Sequence, residues 1–177
     1  DTKPAEHLIS IRKLLSQSAG LRYGFVEPDS MVEKAYNSGD IDALSEAFID
    51  PEEFCQRIAE PPLAFEPGSS WRCSVATDVC AKLVEELAGQ AFDAFLRQSI
   101  LVPLGMVYTG FRVTEDKAHR FFTMYAPEDM FAPLRGGLIK IDDLFTGSYS
   151  IPLVLKAGGS GLVSTVADYR NFCKCSS

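Results

Sequence analysis

Basic residues are in short supply. The chain has 17 Lys and Arg against 24 Asp and Glu, a net charge of −7, and no stripe of basic residues. Neutralising a phosphate backbone needs such a stripe, so the composition argues against nucleic acid as a partner. Also missing is any apolar run approaching the roughly 20 residues that span a bilayer. The opening DTKPAEHL lacks the apolar centre of a secretory leader, and localisation stays open. Histidine occurs only as His7 and His119, neither with ligand spacing around it, so Cys173 and Cys175 gain no partners for a metal site. Five cysteines are an odd count in a chain too large to depend on a disulfide framework. Cys73 and Cys80 would lie near one helix face but about 10 Å apart, too far to bridge. No internal repeat or low-complexity linker divides the 177 residues, which suits one domain's worth of chain with room for a core.

What the chain does have is a mostly helical pattern punctuated by loops. His7 to Gln17 places Leu8, Ile11 and Leu15 on one apolar face and is followed by Gly20, which predicts a helix and its stop. Asp50-Pro51-Glu52-Glu53 supplies an N-cap, a proline at the first helical position and an acid placed as in a capping box, with the helix ending before Pro61-Pro62. Pro67 and Gly68 turn the chain. Ser74 is then placed to accept from an N–H of the next helix's first turn, and Val75, Val79, Leu83 and Leu87 recur at helical spacing until Gly89. Phe92, Phe95, Leu96 and Ile100 predict a further helix running into Pro103-Leu104-Gly105-Met106. From Thr114 to Ile151 the pattern is weak, with short strands at best. Beyond it, Gly158-Gly159-Ser160-Gly161 precedes a last helix through Tyr169 and Phe172, for which Thr165 and Asp168 are the capping candidates.

Cys73 stands at the mouth of the helix that follows Ser74, where backbone N–H groups and the helix dipole favour an anion. The alternative is a small residue filling a gap beside Trp71.

Several segments together carry a resemblance. Ile11 to Leu21 resembles IRHLLSHTSGL, and Phe65 to Asp78 resembles F-x-PG-x-x-W-x-YS-x-x-x-D. Pro103-Leu104-Gly105-Met106 with Thr109 and Phe111 resembles PLGM-x-x-T-x-F, and Gly158 to Phe172 resembles GG-x-GL-x-ST-x-x-DY-x-x-F. In this order they resemble the middle of the serine hydrolase family that includes class C β-lactamases, penicillin-binding-protein-like esterases and related carboxylesterases. The resemblance implies an α+β parent fold of the β-lactamase/transpeptidase type, of which residues 1–177 represent mainly the helical region with few short strands. It implies a single incomplete domain whose nucleophile segment and C-terminal sheet segment lie outside the chain, to be completed by a missing segment or another chain. No cofactor is implied, and the substrate class is a small-molecule ester or amide.

The family transfers acyl groups through a serine in Ser-x-x-Lys, the lysine taking the serine's proton with help from a tyrosine. Ser10-Ile11-Arg12-Lys13 spells that pattern here, but it falls in the segment that in the family follows the nucleophile, and it reads as polar positions on an amphipathic helix. Tyr169-Arg170-Asn171 is likewise a chance match to Tyr-x-Asn. The residue that aligns with the family's tyrosine is Cys73, too short by a whole ring to reach the same serine oxygen. Gln17 stands for the histidine of HTSG, and Cys80-Ala81 for the usual Leu-Gly. Trp71, Ser74, Asp78, Gly158, Gly159 and Gly161 keep the family's residue types and are the candidates for lining the pocket.

Three readings follow: part of a serine hydrolase whose nucleophile lies elsewhere, a non-catalytic scaffold or binding module, and a thiol nucleophile at Cys73 with only His119 as a conceivable base.

Overall fold

The computed structural model describes residues 2–24, 30–38, 49–129, 132–141, 149 and 153–175. Its helices are α1 (Ile11–Leu15), α2 (Met31–Ser38), α3 (Pro51–Ala59), α4 (Ala76–Ala88), α5 (Phe92–Leu96) and α6 (Val166–Cys175). Two short strands, β1 (Tyr125–Pro127) and β2 (Leu138–Lys140), pair antiparallel with Tyr125 opposite Lys140. This mainly helical body with one two-stranded hairpin among the described residues matches the expected region of the parent fold. No helix of the described residues is long and apolar enough to cross a membrane.

The core forms where α1, α3 and α4 meet segment 19–21. Leu14, Ala19, Leu21, Phe54, Ile58, Val75, Ala76 and Leu155 cluster there with Tyr36 of α2. Phe54 and Ile58 lie four apart on α3, so one face of that helix carries both inward. Full burial of a side chain like Phe54 contributes about 1.5–3 kcal/mol, enough to hold a nine-residue helix that would not persist alone in water.

Local chemistry sets the helix ends. Asp50 caps α3 by accepting from Glu52 N at 2.8 Å. Glu53 does not reach back as a capping-box acid; it pairs with Arg57 one turn on, at 2.5 Å. Gly89 ends α4 with φ +63, its N–H donating to Glu85 O, a left-handed geometry glycine adopts without penalty. The helix predicted after Gly89 is α-helical only to Leu96 and continues as a wider π-type turn over Arg97–Leu101, in which Val102 N donates to Arg97 O.

The first predicted helix is corrected most. Instead of spanning His7 to Gln17, α1 is a single short stretch. Ser10 sits extended as its N-cap, and Gln17 takes φ +55, so neither flank continues the helical backbone. The predicted apolar face is uncovered: Leu8 is 90% exposed and Leu15 67%, and the inward residue is Leu14. In the weakly patterned stretch a 3-10 turn (Glu115–Arg120) precedes the hairpin. Residues 130, 131, 142–148, 150 and 151 of that stretch lie outside the described residues.

Candidate functional site

The segments that carry the resemblance are distant in sequence and meet in space. Segment 17–20 is laced to segment 64–72 by three backbone bonds: Arg72 N to Gln17 O at 2.9 Å, Gly68 N to Ser18 O at 2.8 Å and Ala64 N to Gly20 O at 2.8 Å. The approach is close enough to demand glycine at position 20, where φ is +87 and a methyl group would lie 2.5 Å from Phe65 O.

Next to this ladder stand Trp71, 67% exposed, and Cys73, also exposed. Ser74 is buried. Its hydroxyl donates to Gln17 Oε1 at 2.8 Å and accepts from Ala76 N at 3.3 Å, so it serves the first turn of α4 as expected. Residue 73 therefore projects from a strip fastened on both sides, at Arg72 and at Ser74.

Just ahead of the strip, Glu66 fastens the start of the chain to the Pro67-Gly68 turn. It accepts from Glu6 N at 3.0 Å, His7 N at 2.8 Å and His7 Nδ1 at 3.1 Å. Desolvation works to raise the Glu66 pKa, but these donors outweigh it and hold the carboxyl below its ordinary value. A lowered folded pKa means that this contribution is present above the ordinary glutamate pKa and is lost as pH falls through the folded value. Glu66→Gln should therefore speed hydrogen exchange at the Glu6 and His7 amides at neutral pH and lose that effect in acid; unchanged exchange at neutral pH would contradict the clamp.

In the first turn of α4, Asp78 is buried and its Oδ1 accepts from Gly159 N at 2.8 Å. Burial pushes its carboxyl above the ordinary range, opposed by the backbone N–H groups of Gly159 and Gly158. Those glycines lie flat on the helix. A methyl group at Gly158 would sit 2.1 Å from Thr77 O, and one at Gly159 would sit 2.8 Å from Thr77 Oγ1 and 3.2 Å from the Tyr23 hydroxyl. Gly161, with φ +82, packs near Leu153 and Phe111. Burial and then the charge of Asp78 push the Cys80 thiol up, away from the ionised form a nucleophile needs.

The loop continues into a second junction. Gly110 and Val163 exchange backbone bonds at 3.0 and 2.8 Å. Thr165 Oγ1 accepts from Asp168 N at the start of α6. Asp168, read from sequence as a capping candidate, instead turns its Oδ2 to Tyr108 N at 2.7 Å and Thr109 Oγ1 at 2.8 Å. It is a buried tertiary clamp.

Ser10 and Lys13 are engaged locally. The Ser10 hydroxyl accepts from Lys13 N at 3.3 Å, and Lys13 Nζ donates to Leu8 O at 2.9 Å. Tyr169 stacks on Phe172 of its own helix. His119 sits on the 3-10 turn whose Lys117 and Arg120 lie over the Tyr108 ring. Cys173 and Cys175 are exposed, and no group of three or more metal-ligating side chains occurs among the described residues.

Sequence reasoning missed the reach of Gln17 to Ser74, the clamp at Asp168 and the packing of Tyr23 against Gly159. The first had a signal, since position 17 departs from the motif it matches.

The sequence profile of a family described as Beta-lactamase matches residues 1–176. Esterase EstB of Burkholderia gladioli is 35% identical over 122 residues, which are 68% of this chain and 30% of the esterase. Among solved structures, EstCE1, described as a hydrolase with promiscuous acyltransferase activity, superposes with a TM-score of 0.68 at 28% identity, covering 92% of this chain and 44% of that one. Unliganded simvastatin synthase (LovD) from Aspergillus terreus gives a TM-score of 0.69 at 24% identity, covering 96% of this chain and 39% of that one, a likeness of fold. The chain thus spans less than half the length of each of these proteins.

Proposed function

Because the chain belongs to the beta-lactamase family, we propose that it forms one wall of the acyl-transfer site of a serine hydrolase acting on small-molecule esters. The nucleophile of that site is a Ser-x-x-Lys outside residues 1–177. The observation that carries this reading is the convergence of the motif segments: Gln17 on Ser74, Asp78 on Gly159, and Gly110 on Val163. These contacts join the tyrosine-motif segment to the glycine loop and leave residue 73 at the surface. The resemblance to a named esterase favours esters over amides. The chemistry is the attack of a serine oxygen on the ester carbonyl with release of the alcohol, then hydrolysis of the acyl-serine by water.

Ser10 has no part in this scheme, because its hydroxyl serves the start of α1 and Lys13 is turned to a carbonyl. Cys73 replaces the group that assists proton transfer, so the whole protein should acylate slowly. A scaffold reading draws on the same substitution.

The isolated chain should not turn over nitrocefin or p-nitrophenyl esters. Clear burst kinetics with stoichiometric acylation of the chain would refute the reading. In the full-length protein, Cys73→Tyr should raise the acylation rate; no gain would mean that this substitution does not limit activity and would favour the scaffold.

A further inference from the structure

The two most telling departures from the family pattern, Gln17 for the histidine of HTSG and Cys73 for the tyrosine, occupy neighbouring positions in one bonded unit. The Gln17 backbone oxygen accepts from Arg72 N at 2.9 Å, immediately before residue 73, and its side-chain Oε1 accepts from the Ser74 hydroxyl at 2.8 Å, immediately after it. One residue thus grips both flanks of position 73.

It does so from an unusual backbone. Gln17 is the one non-glycine residue with positive φ among the described residues, at +55. Such a conformation costs a side-chain-bearing residue energy and persists only where surrounding contacts impose it. Here the contacts are the ladder to residues 64–72 and the bond to a buried hydroxyl that itself serves Ala76 N. Were position 17 only a tight turn, glycine would relax it at no loss. The carboxamide adds the second grip.

We propose that Gln17 is a positioning residue that fixes the direction and exposure of the side chain at position 73, so that the substitutions at 17 and 73 form one coupled replacement. This rests on reading residue 73 as part of the acyl site, but its consequence for residue 73 is measurable without turnover. Removing the carboxamide frees the strip 72–74 on one side. A single hydrogen bond of this kind biases a local equilibrium by a factor of about 3 to 10.

The test uses Cys73 as its own reporter. In the full-length protein, alkylation by iodoacetamide is followed residue by residue by mass spectrometry. Gln17→Gly suits the positive φ and removes the carboxamide grip while keeping the backbone bond to Arg72; Ser74→Ala removes the partner hydroxyl and, with it, the acceptor of Ala76 N.

Cys73 is already exposed in the wild type, so each variant should shift its labelling rate through the direction of the thiol, by about threefold. The double variant should fall short of the product of the two single changes, with Ser74→Ala carrying the extra loss of the acceptor for Ala76 N. Cys173 and Cys175 report exposed thiols elsewhere, and the half-buried Cys55 and Cys80 report global opening; all four should keep their wild-type rates. An unchanged rate at Cys73, or no labelling of it in any form, overturns the proposal. So does a rise matched at Cys55 and Cys80, or a double variant whose effect is the product of the two. Absent ester turnover with the expected labelling pattern would sink the acyl-site reading alone.

Discussion

Replacing Gly158 by alanine is expected to displace the glycine loop from α4 and to cost about 3 kcal/mol or more, at the upper end of overpacking effects. The added methyl would stand 2.1 Å from Thr77 O and 2.9 Å from Thr77 C. Both are backbone atoms of a helix, which cannot swing aside as a flexible side chain could. Gly158 has no positive φ, so the penalty is contact and not strain. Urea unfolding measures the cost, and hydrogen exchange at the Gly159 amide reports whether its bond to Asp78 has opened. A loss below about 0.5 kcal/mol, the range of ordinary surface changes, with Gly159 still protected, would contradict the packing described.

Asp78→Ala should come close behind. It removes the acceptor of the Gly159 N–H in a part-buried bond, which costs about 1 kcal/mol, and it opens a small void. Asp78→Asn separates charge from shape, because a carboxamide oxygen can accept the same bond. The sign with pH follows from the raised carboxyl. The folded state holds this proton more tightly than the unfolded chain. Its contribution to stability is therefore greatest below the ordinary aspartate pKa and declines as pH rises towards the folded value. Asp78→Asn lacks that decline, so its stability relative to wild type should rise with pH across that interval and then level off. A relative stability that falls with pH would mean that the bonds from Gly158 and Gly159 outweigh burial at Asp78.

These two positions also mark what was legible in the sequence. α3 and α4 were readable because local signals and tertiary packing agree there. Asp50 caps, Pro51 opens and Gly89 closes, and Phe54, Ile58 and Val75 enter one core with Val79 packed against it, although Leu87 of the predicted α4 face is 77% exposed. The first helix misled because its periodicity was real while its ends were not: Ser10 and Gln17 adopt non-helical backbone, and Leu8, Ile11 and Leu15 remain exposed. A pattern records which residues are apolar, but it does not record whether anything in the chain covers them.

The candidate site divides in the same way. The motif spacing named Ser74, Asp78 and the 158–161 loop as pocket candidates, and the structure shows the bonds they make. Ser74 and Asp78 are buried, each spent on a bond that joins segments. Trp71, Cys73, Gly158 and Gly159 are exposed. Asp168 read as a cap because it stands three residues after Thr165, where an acid can reach back to the helix start. Its partners at Tyr108 and Thr109 lie some 60 residues away in sequence, and no local pattern encodes them.

The most direct measurement is to locate the acyl group. The full-length protein would be incubated with a p-nitrophenyl ester, quenched in acid and mapped by peptide mass spectrometry. The expected result is an acyl mass on the serine of a Ser-x-x-Lys outside residues 1–177, with Ser10 and Cys73 unmodified. Acyl mass on Ser10 or Cys73, or no acyl-enzyme at all, would contradict a serine hydrolase built around this wall.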